Sequence, residues 1–237
     1  MNPHDPATPS SPTARLLLLE TRVLPEMAGL ILRSRALREE LPRGDGHAVL
    51  IVPGFGAGDG ATRPLRTFLG SLGYTAYGWD QGVNLGMRPP IKNALNLRLH
   101  KLYERHGPVS LIGWSLGGVF VREMARHTPP YVRRVFTLGS PINVRPDANN
   151  LMPLFRLINA GRPVNLDLEG FRRRITPPPV PCTAIYTRTD GIVAWPCCRE
   201  PEAPNTDNVE VRGSHLGLPY NVETIRAIAA RLAQPAG

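Results

Sequence analysis

Ser115 lies in Gly113-Trp114-Ser115-Leu116-Gly117-Gly118, a G-x-S-x-G pattern. Residues 109–113 read as a short strand buried on both faces, and residues 116–127 as a helix. Between strand and helix, the glycines permit a turn tight enough to strain the serine backbone and lift its hydroxyl clear. The helix N-terminus behind it adds partial positive charge where an oxyanion would form. A serine hydroxyl is a poor nucleophile until a base takes its proton. His215, in Gly213-Ser214-His215-Leu216-Gly217, follows a strand-like run at 208–211 and precedes a helix at 222–233. His4, His47, His100, His106 and His127 fall in the tail, at a strand start or on helix ends, where exposed or capping histidines are ordinary. Asp190 follows the strand read at 183–187 and is the carboxylate best placed to hold the base. Glu200, Glu202 and Asp207 compete, but none follows a strand end as cleanly.

A tetrahedral intermediate also needs backbone N–H donors. Leu116, directly after the serine, supplies one. The second comes from the loop Pro53-Gly54-Phe55-Gly56-Ala57-Gly58-Asp59-Gly60, which follows a strand at 47–52. Phe55 is the first candidate there and Gly56 the next. Trp114, Trp195, Leu154 and Phe155 are candidates for an acyl pocket; the apolar residues around Leu154 fit a plain core helix equally well. Asp80 and Asn84 read as structural loop residues, with a place at the pocket mouth as the alternative.

Strands at 47–52, 74–79, 109–113, 132–138, 183–187 and 208–211 alternate with helices at 62–72, 91–106, 116–127 and 222–233. That alternation implies an α/β fold, a mostly parallel sheet with helices on both faces. Residues 1–13 read as a flexible tail, 14–46 as a helical extension and 47–237 as the main domain. An insertion at about 141–180, ending in Pro177-Pro178-Pro179, is too long for a plain connection and reads as a helical lid. In the extension Arg15, Arg22, Glu26 and Arg33 share one face, and nearly everything else up to Leu32 is apolar. Pro25 is expected to kink the segment or start a second helix. The apolar face needs a cover. Packing on the main domain comes first; a membrane surface or self-association through residues 14–41 is the alternative.

Composition narrows the class. With 42% hydrophobic and 20% charged residues the chain has a globular balance, which excludes disorder. No apolar run approaches the roughly 18 residues needed to span a bilayer. Lys+Arg outnumber Asp+Glu by 28 to 19, a net charge of +9, and the only lysines are Lys92 and Lys101. The arginines are spread along the chain, so no nucleic-acid partner is expected. Attraction to an anionic surface or substrate is the sharper reading of that charge, and an arginine-rich coding bias the plainer one. His4 and Asp5 stand where a secretory signal needs Lys or Arg, and Glu20 cuts short the apolar run at 16–19, so a cytoplasmic protein is expected. Cys182, Cys197 and Cys198 are odd in number and lack C-x-x-C spacing. They read as reduced thiols, with a bridge from Cys182 to Cys197 or Cys198 left open. No acidic or histidine cluster has metal-ligand spacing, and neither metal nor cofactor is expected.

The Val-Pro-Gly-Phe start and Gly-Trp-Ser-Leu-Gly-Gly elbow resemble the α/β-hydrolase superfamily, and within it the bacterial lipase/esterase-like serine hydrolases. The resemblance covers about residues 47–233. It implies Ser115 as nucleophile, Asp190 as orienting acid, His215 as base, and Phe55 and Leu116 as oxyanion donors. The chain order serine, acid, histidine is the one this architecture uses. The chain departs from many lipases and esterases in having Pro53-Gly54 where they have His-Gly. The implied activity is carboxylic-ester hydrolysis, with a small-molecule ester or acyl substrate. Acyl transfer and thioester hydrolysis use the same triad. A cofactor-free peroxidase would share it as well, while Ser115 disfavours a dehalogenase, which needs aspartate at the elbow. A non-enzymatic binding or membrane-surface module is the reading from another class.

Overall fold

The computed structural model describes residues 11–143, 150 and 175–235. Its strands are β1 (Ala48–Val52), β2 (Thr75–Gly78), β3 (Val109–Trp114), β4 (Val132–Leu138), β5 (Cys182–Tyr186) and β6 (Thr206–Glu210). They form one sheet in the order β2-β1-β3-β4-β5-β6, and every pairing is parallel. The strands read from the apolar runs are all present within a few residues.

Alternation along β1 divides the core in two. Val49 and Ile51 point to one face of the sheet; Ala48, Leu50 and Val52 point to the other. The first face is covered by α2 (Val23–Glu40), α3 (Asp59–Leu72) and α6 (Val222–Leu232). The second is covered by α4 (Pro89–His106) and α5 (Leu116–His127). Leu50, Ile51, Leu111 and Ile112 are at most 1% exposed. Each contributes roughly 1.5–3 kcal/mol by burial, and together they fix the strands that carry the loops discussed below.

The chain runs from β1 outward to β2, then crosses back to β3 on the other side of β1. Connections therefore diverge between β1 and β3. In open parallel sheets a crevice forms there at the carboxyl ends of the strands. The Phe55 loop leaves β1 at that point, and Ser115 leaves β3.

The extension is α1 (Ala14–Leu18), a 3-10 turn (Leu19–Arg22) and α2. The break lies at Leu19–Arg22, and a second helix starts directly after it, one of the two outcomes expected of Pro25. Pro25 falls in the first turn of α2, where its missing N–H would have had no helical partner. Leu30 and Leu37 pack on the main domain, while Leu18, Leu24, Ile31 and Leu32 are exposed. Arg22 and Glu26 turn inward, onto loops of the main domain. The charged face is thus partly the buried one, because loop backbone groups need polar partners that apolar side chains cannot supply.

No described helix is long and apolar enough to cross a membrane. Cys182, Cys197 and Cys198 are free and buried, so the bridge left open by the sequence is not formed. Burial pushes the Cys182 thiol up to about 12 and the Cys197 thiol up to about 11. Such thiols are inert at neutral pH. Most of the expected lid, with Leu154 and Phe155, lies outside the described residues.

Candidate active site

Ser115 sits between β3 and α5 with φ 52° and ψ −120°. A non-glycine residue in that region is strained and persists only where its surroundings fix it. The surroundings do so from both sides. The Ser115 N–H donates to Leu138 O at 2.8 Å, at the end of β4. Gly117, in the first turn of α5, lies so close to β1 that a Cβ on it would stand 2.3 Å from Val52 O. The glycines are therefore a packing requirement of the turn that lifts Ser115.

The loop after β1 lies against the serine. A Cβ added to Gly54 would come 3.1 Å from the Ser115 Cβ. Asn84, fully buried, pins this loop from β2's side. Its Nδ2 donates to Pro53 O at 2.8 Å, its backbone N–H to Ala57 O at 2.8 Å, and its carbonyl accepts from Gly56 N at 2.8 Å. Phe55 is enclosed by those three bonds. Asn84 thus organises the loop that carries Phe55. If the site is that of a serine hydrolase, replacing Asn84 with alanine, which removes the Nδ2 bond to Pro53 O, is expected to lower kcat about 10²-fold on an activated ester, with a smaller change in KM. Steady-state kinetics alongside a thermal melt check this.

Asp190 and His215 meet at the ends of β5 and β6. His215 Nδ1 stands 2.7 Å from Asp190 Oδ2, and both side chains are 1% exposed. The other carboxylate oxygen, Oδ1, accepts the N–H groups of Ile192 at 2.8 Å and Val193 at 2.7 Å. The Asp190 plane is therefore set by backbone, and only one oxygen faces the imidazole. On the far side, the Trp114 indole N–H donates to His215 O at 3.0 Å, and the two rings lie 6.2 Å apart. Trp114 directly precedes Ser115, so one side chain ties the serine turn to the histidine loop. Among the described residues the Ser115 hydroxyl makes no hydrogen bond.

Burial pushes the His215 imidazolium down, but the Asp190 carboxylate, by charge and by hydrogen bond, and the nearby Glu20 raise it overall. If His215 is the general base, kcat/KM for a neutral ester rises with pH through a midpoint above about 6.5. A pH–rate profile checks this. The stability sign is the reverse: the raised value favours the fold below the unfolded pKa of about 6.5, and that contribution is lost as pH rises through the folded value.

Of the competing acids, Glu202 is exposed and the other two are engaged elsewhere. Glu200 forms a buried two-point pair with Arg122, at 2.7 Å on each oxygen. Asp207 pairs with Arg231 at 2.5 Å. A second serine–histidine–aspartate chain does exist: His47 Nε2 lies 2.9 Å from Ser110 Oγ, and His47 Nδ1 contacts Asp45 Oδ1. It sits at the amino ends of β1 and β3, with Ser110 fully buried in regular strand. Burial lowers the His47 pKa, ahead of the opposing pull of Asp45. That chain satisfies polar groups under the sheet and has no reachable nucleophile. Trp195 stacks on Tyr186 at 5.7 Å with the Arg188 guanidinium 4.8 Å over its ring. Trp195 thus packs beside β5.

No protein-family model matches the chain, and no curated protein matches it in sequence. Solved structures do. The monoacylglycerol lipase of Paleococcus ferrophilus superposes with a TM-score of 0.55 at 17% identity, over 81% of this chain and 96% of that one. A pyrethroid hydrolase from Sphingobium faniae JZ-2 gives 0.57 at 17% identity, over 81% and 99%. The chain has the α/β-hydrolase fold. A thioesterase domain from the curacin biosynthetic pathway shares it, at a TM-score of 0.50 and 14% identity over 82% and 93%.

Within this α/β-hydrolase fold, Ser115, Asp190 and His215 all lie at the carboxyl ends of their strands. The sequence missed three groups that support them: Asn84, Trp114 in its tying role, and the inward polar residues of the extension. Glu20 carried the clearest signal, as a lone acid interrupting an apolar run. Among the described residues no group of three His, Cys, Asp or Glu side chains is placed to hold a metal.

Proposed function

We propose that the protein is a serine hydrolase that cleaves carboxylic esters through an acyl-enzyme. The observation that carries this is the buried Asp190–His215 hydrogen bond, its carboxylate oriented by two backbone N–H groups, beside a serine held at φ 52°. In the mechanism, Ser115 Oγ attacks the acyl carbon while its proton passes to His215 Nε2. Asp190 holds the Nδ1–H tautomer and stabilises the imidazolium. The Phe55 and Leu116 N–H groups receive the oxyanion. The intermediate collapses, and His215 returns the proton to the leaving alcohol. Water then attacks the Ser115 ester, giving its proton to His215. Collapse releases the acid and restores the serine.

Thioester hydrolysis and acyl transfer to an alcohol are the second reading, favoured by the likeness to a thioesterase domain. Both proceed through the same acyl-enzyme. The test is fluorophosphonate labelling, followed by product analysis on ester and thioester panels with and without an added alcohol. Absence of both labelling and turnover in folded protein would sink the enzyme reading. Formation of a new ester with the added alcohol would favour transfer. For the place of action we propose a lipid surface met by exposed Leu18, Leu24, Ile31 and Leu32, flanked by Arg15, Arg33 and Arg35. Co-sedimentation with anionic vesicles tests it; a dimer that stays in the supernatant would assign that face to self-association instead.

A further inference from the structure

Glu20 belongs to the extension, yet its carboxylate is spent on the two loops that hold Asp190 and His215. The residue is 4% exposed. Oε1 accepts the N–H of Gly191 at 2.8 Å and that of His215 at 3.0 Å; Oε2 accepts the N–H of Leu216 at 2.8 Å. Gly191 directly follows Asp190. One carboxylate therefore grips the backbone beside the acid and the backbone of the base. Two neighbours reinforce it. Arg22 donates to Thr189 O and Gly213 O, both at 3.1 Å, and Glu26 Oε1 accepts the Ser214 N–H at 2.9 Å. Space at the contact is tight: a Cβ on Gly191 would stand 2.4 Å from Leu16 O.

We propose that Glu20 is a positioning residue that sets the register between the Asp190 loop and the His215 loop, making the N-terminal extension part of the catalytic apparatus. The inference rests on the serine-hydrolase reading. The physical argument has two parts. A buried carboxylate with three N–H donors is satisfied, whereas its removal leaves three N–H groups on two loops without their partner. The loops would then separate or admit water, and a displacement of about 1 Å can lower turnover by about 10²-fold. The second part is charge. The ionisable groups around His215 are Asp190 from the β5 loop, and Glu20, Glu26 and Arg22 from the extension. Glu20 adds negative charge that favours the imidazolium, so neutralising it lowers the pH at which His215 becomes a free base.

The test is Glu20→Gln in the full chain, with kcat normalised to sites titrated by a fluorophosphonate. The expected result is a kcat about 10–100-fold lower, KM within about 3-fold, and an acid limb of kcat/KM shifted to lower pH. A residue that only stabilised the fold would lower the melting temperature while leaving kcat per titrated site and the limb in place. That outcome overturns the proposal. If Glu20→Gln does not fold, Glu20→Asp decides: the charge stays but the reach shortens, so the limb holds and kcat falls. Wild-type kcat in Glu20→Asp overturns the proposal in that case. The underlying reading fails separately, by a folded wild type that neither labels nor turns over ester.

Discussion

Replacing Ser115 with alanine is expected to lower kcat/KM on an activated ester by about 10⁴-fold or more and to abolish fluorophosphonate labelling. The nucleophile and its base act as a unit, so loss of the oxygen removes the covalent route altogether. What remains is substrate binding and the oxyanion donors. The fold is expected to survive. Alanine has the same Cβ at φ 52°, and the Ser115 hydroxyl makes no hydrogen bond among the described residues. The melting temperature is therefore expected to be unchanged or slightly higher, as when a functional group is held at some cost to stability. An alanine variant that melts like the wild type and retains turnover would point to a different nucleophile.

Asp190→Asn is expected to lower kcat by about 10⁴-fold near neutral pH, with the protein still folded. The geometry predicts why. Ile192 N and Val193 N donate to Oδ1, so the amide oxygen must occupy that side and the NH2 group must face His215 Nδ1. An imidazole receiving a hydrogen bond at Nδ1 carries its proton on Nε2, the nitrogen that has to accept the serine proton. The base is then held in the wrong tautomer. It also loses the charge that raises its pKa, so the acid limb moves to lower pH. Steady-state kinetics across pH, with circular dichroism to establish folding, read both effects. A loss of only a few-fold would mean that Asp190 does not orient the base.

The triad candidates were legible because their chemistry constrains their neighbours. Ser115 needs glycines where its turn meets β1, and Gly117 stands so close to Val52 O that no other residue fits without movement. Asp190 and His215 each follow a strand within a few residues, so strand patterning located them. Residue type by itself left the partners of a side chain open. Trp114 and Trp195 are pocket candidates because both are large and aromatic, and that says nothing of what else they touch. In the structure one gives its N–H to His215 O and the other stacks on Tyr186.

The α/β pattern, the parallel sheet and the positions of Ser115, Asp190 and His215 were written in the sequence alone. They rest on local periodicity and on short-range steric rules, which the chain carries within each segment. The direction of the N-terminal extension was not. Spacing shows which residues share a helix face, but not whether that face meets solvent or protein. Its partners lie far off: Glu20 and His215 are 195 residues apart, and Asn84 and Pro53 are 31 apart. Only the folded sheet, by bringing the strand ends to one edge, left backbone N–H and C=O groups there that required polar partners. Glu20, Arg22, Glu26 and Asn84 met that need, and tertiary structure alone decided which residues would.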